Sequence, residues 1–565
     1  MAKLPMGSII RNTHYMPFLR PPQRPEERSG GTRPDVRRGR PLFIQEKPLQ
    51  GETRLMECPS PLCVDIPEGE YWYGGCVSDG TRMPLGRDAA FERSLVINET
   101  ANQAAPLLVS SHGRYIWCRE GFRYRFQRGT LRVEAPGGRL YLYEGGGTLR
   151  GAIRQAAQEH FGRGDAPPAL FFTAPQYNTW IELLYHQNQR DILDYARRIL
   201  ENGLPVGVLM IDCGWADYNG RLEFHSGRFP DPRGMMEALH GMGFRVMLWE
   251  CPFITADSEE YRQLAARGYL VRQPDGEPAI KHWWDGYSAV LDMTHPGARD
   301  WLRAKNAALM ERYGVDGFKM DAGDARYYSE TDVTFAPVTP NGQCELWARF
   351  GLTYAYNEYR ACFGCSGESL VQRLADKCHS WDESGLGALV PHMLAQSALG
   401  YPFGCPDMIG GGEYLNFLQN SDSLDEELVV RYAQCSALMP MMQFSAAPWR
   451  ILSEENFRLC REAARLHVRY GGEIYRLAQA YRETGEPIVR YMEYVFPHQG
   501  LAAVTDQFML GEDVLVAPVL EKGARERRVV FPAGVWRGAD GMRVTGPCER
   551  TVAAGLETLP VFERN

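Results

Sequence analysis

Two aspartates stand where carboxylates do chemistry. Gly317-Phe318-Lys319-Met320-Asp321 is a short apolar run that ends in an acid and breaks on Ala322-Gly323. A buried parallel strand has this form when it delivers one carboxylate to the mouth of a barrel. A second acid follows in His379-Ser380-Trp381-Asp382. Two such carboxylates, each presented by its own strand, are the minimum for breaking a glycosidic bond. One stays ionised and attacks the anomeric carbon; the other holds a proton for the leaving oxygen. Asp321 suits the first task. Lys319, two residues earlier, points to the same side of the strand, and its ammonium lowers a neighbouring carboxylate pKa. A plain Lys319–Asp321 salt bridge is the structural alternative. Asp382 suits the second task if the bulk of Trp381 shields it from water and raises its pKa. Its structural alternative is an N-cap ahead of Gly385–Met393, and Glu383 is a rival acid.

Such acids need a scaffold. From about 168 to 475 apolar strand-like runs alternate with amphipathic helical stretches, of which Asp191–Glu201 and Pro296–Arg312 are the clearest. The strands are expected at Leu170–Thr173, Gly207–Asp212, Arg245–Glu250, Gly317–Asp321, Ser369–Arg373, Cys378–Asp382, Tyr401–Asp407 and Leu438–Ser445. Repeating β-then-α over this length predicts an α/β fold with a (β/α)8 TIM barrel. The strand ends then carry Asp212, Glu250, Asp321, Arg373, Asp382 and Asp407, a placement that points to an enzyme. Asp212 can accept from two hydroxyls or cap its loop. Asp407 can do the same or tie down Arg373. Arg373 can clamp hydroxyls or steady a carboxylate. Trp249, Trp283 and Trp284 can stack on a pyranose face or pack in the core.

Around the barrel the periodicity changes. Tyr115–Arg119 and Leu131–Glu134 alternate apolar and polar residues between Gly and Pro punctuation, which predicts an N-terminal β-sandwich domain over 41–165. Residues 1–40, rich in Arg, Pro and Gly, read as an extended or loose segment. The barrel is expected over 166–478. Val514–Val519 and Arg527–Pro532 predict a C-terminal β-domain over 479–565.

A net charge of −8 argues against a nucleic-acid surface. No apolar run reaches membrane-spanning length and Met1–Ile10 has no signal-peptide core. The 14 scattered Cys favour free thiols in a reducing cytoplasm. Cys362-Phe363-Gly364-Cys365 lacks the second pair that a zinc site needs, and His225, His240, His282 and His295 lack metal-ligand spacing. No metal and no cofactor is expected.

Residues 314–324 resemble the nucleophile motif of glycoside hydrolase family 31. Gly485–Arg490 and Asp506–Val519 are similar to its C-terminal motifs, and Phe229-Pro230-Asp231, Leu291–Pro296 and Pro406–Gly411 fit in the family's order. The resemblance covers roughly 70 to 565. It implies a retaining, exo-acting α-glycosidase with Asp321 as nucleophile, Asp382 as acid/base and Asp212, Trp249, Trp284, Lys319, Arg373, Asp407 and Trp72 at the substrate, Trp72 on a loop from the N-terminal domain. The partner is then a small-molecule or oligosaccharide substrate, with no nucleic acid and no membrane; a homo-oligomer stays open. The chain departs from the common pattern. Asp324 replaces a Glu, the acid lies in Ser380-Trp381-Asp382-Glu383 and not in Trp-x-Gly-Asp, and Gln443-Phe444-Ser445 takes the place of a late His. Together with Tyr71–Gly75 and Gly400–Phe403 these features look like the branch of the myogenesis-regulating glycosidase, which includes α-galactosidase activity. Galactose is therefore the expected sugar. The alternatives are an α-glucosidase or α-xylosidase and, outside the class, an inactive carbohydrate-binding protein.

Overall fold

The computed structural model describes residues 54–565. The segment expected over 1–40, and the first residues of the domain expected over 41–165, lie outside them. Alternation builds the N-terminal domain: Arg123–Gln127 and Thr130–Glu134 bury every second side chain. A five-stranded antiparallel sheet, running from Arg54–Cys58 at one edge to Trp72–Cys76 at the other, packs on a four-stranded one. Trp72, Leu108, Ile116, Tyr124 and Leu131 fill the space between them. The expectation that Trp72 reaches substrate is corrected here. Its ring is fully buried in the sandwich core, under the Arg114 guanidinium at 5.4 Å, because its strand turns it toward the facing sheet.

The eight barrel strands are β1 (Gln176–Asn178), β2 (Val208–Ile211), β3 (Arg245–Glu250), β4 (Gly317–Met320), β5 (Tyr356–Tyr359), β6 (Gln372–Arg373), β7 (Gly404–Cys405) and β8 (Gln443–Phe444). They pair in parallel in the order β7-β6-β5-β4-β3-β2-β1-β8. The Ile409 amide crosses the remaining seam to the Gln443 carbonyl at 2.8 Å. The fold is therefore a (β/α)8-type TIM barrel. Its helices start on good caps: Asn188 before Gln189–Glu201, Asp231 before Pro232–Gly241, His295 before Pro296–Tyr313 and Thr339 before Pro340–Gly351.

Two expected strands are not strands, and two strands were not expected. Leu170–Thr173 is a helical turn, set by Pro167-Pro168, whose last carbonyl accepts from the Phe171 amide at 3.0 Å. The first strand is instead the polar Gln176-Tyr177-Asn178. Cys378–Asp382 is loop, and the fifth strand is Tyr356–Tyr359, which sequence reasoning passed over. These strands escaped notice because the barrel interior is lined there by polar side chains that bond Gln443. The Gln443 amide donates to Glu358 at 2.9 Å and the Asn178 amide to Gln443 at 3.4 Å. No helix joins β5 to β6.

After the barrel, the helix Glu454–Thr484 runs past the boundary expected at 478 and stops on Gly485 in the left-handed region (φ +67°). A six-stranded antiparallel sheet follows, from Val489–Arg490 to Val561–Arg564 in the chain, around Met509, Leu515, Phe531 and Trp536. All 14 Cys are free. Among the described residues no helix is long and apolar enough to cross a membrane.

Candidate active site

Strand alternation decides which side chains enter the barrel. Trp249 on β3 pairs in register with Lys319 on β4, and Lys319 with Glu358 on β5. These side chains and Asp321 line the inner face of the mouth. Asp321 follows β4 directly, and the chain then turns through Ala322 at φ +54°, a left-handed conformation that costs a non-glycine residue roughly 1 kcal/mol. The turn lets the Ala322 amide donate to Asp321 Oδ1 at 2.8 Å.

Asp321 is buried and heavily bonded. Arg360 Nε donates to Oδ1 at 2.9 Å and Trp249 Nε1 to Oδ2 at 3.2 Å. Burial alone raises a carboxylate pKa, but Arg360, then Lys319 and Arg373, outweigh it and hold Asp321 well below its usual range. Lys319 does not take Asp321 as its partner. Its ammonium reaches Asp212 Oδ2 at 2.6 Å, and both groups are buried. The simple Lys319–Asp321 bridge is thus replaced by two crossed pairs, Lys319–Asp212 and Arg360–Asp321. Removing one partner of such a buried pair typically costs about 3–5 kcal/mol.

Arg360 is the residue that sequence reasoning missed. It follows β5, itself unrecognised, and grips Asp324 with Nη1 at 3.0 Å and Nη2 at 2.7 Å. The available signal was electrostatic: two acids three residues apart in an apolar run require a cation.

Arg373 and Asp407 come together as a support. Arg373 Nη1 donates to Asp407 Oδ1 at 2.8 Å and to Asp376 at 2.7 Å. The other Asp407 oxygen accepts from the Lys377 and Gly412 amides. Trp249 is buried against the nucleophile candidate; Trp283 is buried and stacks on Phe253 at 4.2 Å. Trp284 is 41% exposed, with the Arg360 guanidinium 5.3 Å from its ring centroid.

Asp382 lies on the loop after β6, at the same end of the barrel as Asp321. Its expected environment is corrected. The carboxyl is exposed and held below its usual range by the Ser384 hydroxyl and amide and the Ser380 hydroxyl. Trp381 does not shield it, because the indole nitrogen donates to Asp425 at 3.0 Å instead. The next helix starts at Leu389 without a side-chain cap, so Asp382 is not its N-cap.

A cavity of about 400 Å³ opens at the ends of β2 and β3, lined by Cys213, Trp215, Trp249, Cys251, Asp285 and Tyr287 among others. That is within the range of small-ligand sites. The hairpin formed by Lys281–Trp283 and Gly286–Val290 carries Asp285. Burial raises the Asp285 pKa, while a 2.7 Å hydrogen bond from Asn219 opposes the shift.

Glu250, expected at the mouth, turns outward instead. Asn306 of the helix Pro296–Tyr313 donates to Oε2 at 2.8 Å, and Oε1 has no partner. Burial pushes the carboxyl up from 4.5 to about 8, with Asn306 opposing. The folded state thus keeps a proton that the unfolded chain has released. Stability falls as pH rises from 4.5 toward 8, at up to about 1.4 kcal/mol per pH unit from this group. Glu250→Gln removes that slope. Its melting temperature relative to the unsubstituted chain is expected to gain several degrees more at pH 8 than at pH 5; an equal change at both pH values contradicts the assignment.

A barrel mouth with a buried, ionised carboxylate fits a glycoside hydrolase, and the comparisons with known proteins agree. Residues 167–477 match the glycosyl hydrolases family 31 TIM-barrel domain, and residues 485–565 the family 31 C-terminal domain. The chain belongs to glycoside hydrolase family 31 and is a glycoside hydrolase. It is 31% identical to the myogenesis-regulating glycosidase of Mus musculus over 510 residues, 83% of this chain and 71% of that one. It is 24% identical to alpha-glucosidase 2 of Bacillus thermoamyloliquefaciens, covering 80% of this chain but 60% of the relative. Among solved structures, a GH31 alpha-xylosidase from a soil metagenome, complexed with xylose, superposes with a TM-score of 0.76 at 22% identity, over 92% of this chain and 80% of that one.

Proposed function

We propose that this chain is a retaining, exo-acting α-glycoside hydrolase that removes a terminal α-linked hexose, with galactose preferred. The observation that carries the reading is Asp321, a buried carboxylate kept ionised at the barrel mouth. In the first step Oδ2, whose side-chain contact is the long one from Trp249, attacks the anomeric carbon. The leaving oxygen takes a proton from Asp382 and departs as an alcohol. In the second step Asp382 takes a proton from water, the water oxygen bonds to the anomeric carbon, and the Asp321 ester bond breaks. Asp212 and Lys319 offer an acceptor and a donor to hydroxyls, and Trp284 an aromatic face. Arg373 and Asp407 support the loops after β6 and β7. The substrate is a small-molecule or oligosaccharide glycoside.

Asp382 must be protonated before it donates, and its serine hydrogen bonds oppose that in the free enzyme. Bound sugar has to withdraw it from water. A second reading gives the proton to Asp285, whose pKa burial already raises and which lines the cavity beside Trp249.

Galactose rests on the departures from the common family pattern: Asp324, the Ser380–Glu383 acid segment and Gln443–Ser445. A panel of aryl α-galactoside, α-glucoside, α-xyloside and α-N-acetylgalactosaminide tests it. The galactoside is expected to give a kcat/KM at least about tenfold above the others, a difference of about 1.4 kcal/mol. Preference for glucoside or xyloside sinks the sugar assignment and keeps the mechanism. No hydrolysis of any member favours a carbohydrate-binding protein.

A further inference from the structure

The helix that should join β5 to β6 is missing, and the N-terminal domain occupies its place. Ala104, the first residue of the sandwich strand Ala104–Ser110, donates its amide to the Cys362 carbonyl at 2.9 Å. Its own carbonyl accepts from the Gly364 amide at 3.0 Å. Just ahead of it, the fully buried Gln103 side chain donates to the Arg360 carbonyl at 2.5 Å and the Arg373 carbonyl at 2.7 Å. Its own oxygen accepts from Gln396 at 3.0 Å. Asn102 accepts from the Ala375 amide at 2.6 Å, and the Ala101 carbonyl accepts from Arg360 Nη1 at 2.6 Å.

One stretch of the sandwich therefore holds the main chain of both strand-end arginines and one arm of Arg360. The guanidinium has no slack. Nε goes to Asp321, Nη1 to Asp324 and Ala101, and Nη2 to Asp324, while Trp284 covers its face. A planar fork bound on three sides fixes the plane of the carboxylate it meets. It takes Oδ1 of Asp321, as does the Ala322 amide, and leaves Oδ2 as the freer oxygen.

We propose that Arg360 is a positioning residue which selects Asp321 Oδ2 as the attacking atom, and that the N-terminal domain sets it through Gln103 and Ala101. This rests on Asp321 being the nucleophile. The sandwich is then part of the catalytic apparatus and not an appended module. Asp321 also faces Lys319 on its own strand, Arg373 from β6 and the thiols of Cys213 and Cys251 beyond β2 and β3. Two cations remain when Arg360 loses its charge, so the effect on ionisation is partial.

The test is the pH profile of the full chain on its best aryl glycoside, with the active fraction titrated. Arg360→Gln removes the charge and is expected to raise the acidic limb of kcat/KM by about one pH unit. Arg360→Lys keeps the charge and loses the fork; the limb stays, and kcat falls about 10²-fold with KM within about threefold. Gln103→Leu leaves Arg360 chemically intact, and kcat per active site is expected to fall about tenfold with the limb in place. Unchanged kcat per active site in both Arg360→Lys and Gln103→Leu overturns the inference. So does an acidic limb that Arg360→Gln does not move. Asp321→Ala serves as the control. Its inactivity with unmoved Arg360 and Gln103 variants removes only the positioning role; its full activity removes the nucleophile and, with it, this inference.

Discussion

Asp321→Ala is expected to lower turnover by roughly four orders of magnitude or more, the scale seen when a covalent nucleophile is removed. The loss should not come from misfolding. Arg360 keeps Asp324 and Lys319 keeps Asp212, so neither buried cation is left bare. The variant should melt cooperatively and still bind sugar. Added azide, small enough for the vacated space, is expected to restore turnover of an activated aryl glycoside by direct attack on the anomeric carbon, giving a β-glycosyl azide. Unchanged turnover in Asp321→Ala refutes the nucleophile assignment; an inactive variant that azide revives only to α-azide refutes direct displacement.

Asp382→Ala should separate substrates by their leaving groups. Proton donation matters most when the departing oxygen is a poor leaving group, and general-acid catalysis is worth about 10²- to 10⁴-fold. A natural glycoside is expected to lose that much in kcat, while a nitrophenyl glycoside loses far less in the first step. Asp285→Ala is the comparison. If its losses follow this pattern and those of Asp382→Ala do not, the proton comes from the hairpin and not from the loop after β6. The two candidate acids are both exposed and differ in their neighbours: serine donors hold the Asp382 carboxyl down, while the cavity wall around the hairpin raises that of Asp285.

The parts of the barrel that read clearly are those with apolar strands. β2, β3 and β4 are short hydrophobic runs, and their ends put Asp212, Trp249 and Asp321 at the barrel mouth, where the sequence reading expected strand ends. β1 and β5 were opaque because Gln176, Asn178 and Glu358 face inward and each bonds Gln443 on β8, which removes the apolar signature that strand reading depends on. With β5 unseen, Arg360 was unseen. Trp72 was misplaced because an aromatic run does not tell which of two facing sheets it belongs to. The state of Asp382 could not be read locally either: it depends on Trp381 choosing Asp425, 44 residues further along the chain. Contacts set by sequence-distant partners, such as Gln103 with Arg360, leave no periodic trace at all.

The account stands on a covalent bond between Asp321 and the anomeric carbon. A fluorosugar fluoride of the preferred configuration, whose fluorine slows breakdown of the glycosyl ester more than its formation, allows that bond to be caught. Peptide mass spectrometry after digestion is then expected to find one fluoroglycosyl group on the peptide carrying Asp321. A label on a peptide carrying another carboxylate, or an unlabelled enzyme that releases sugar of inverted configuration, contradicts it.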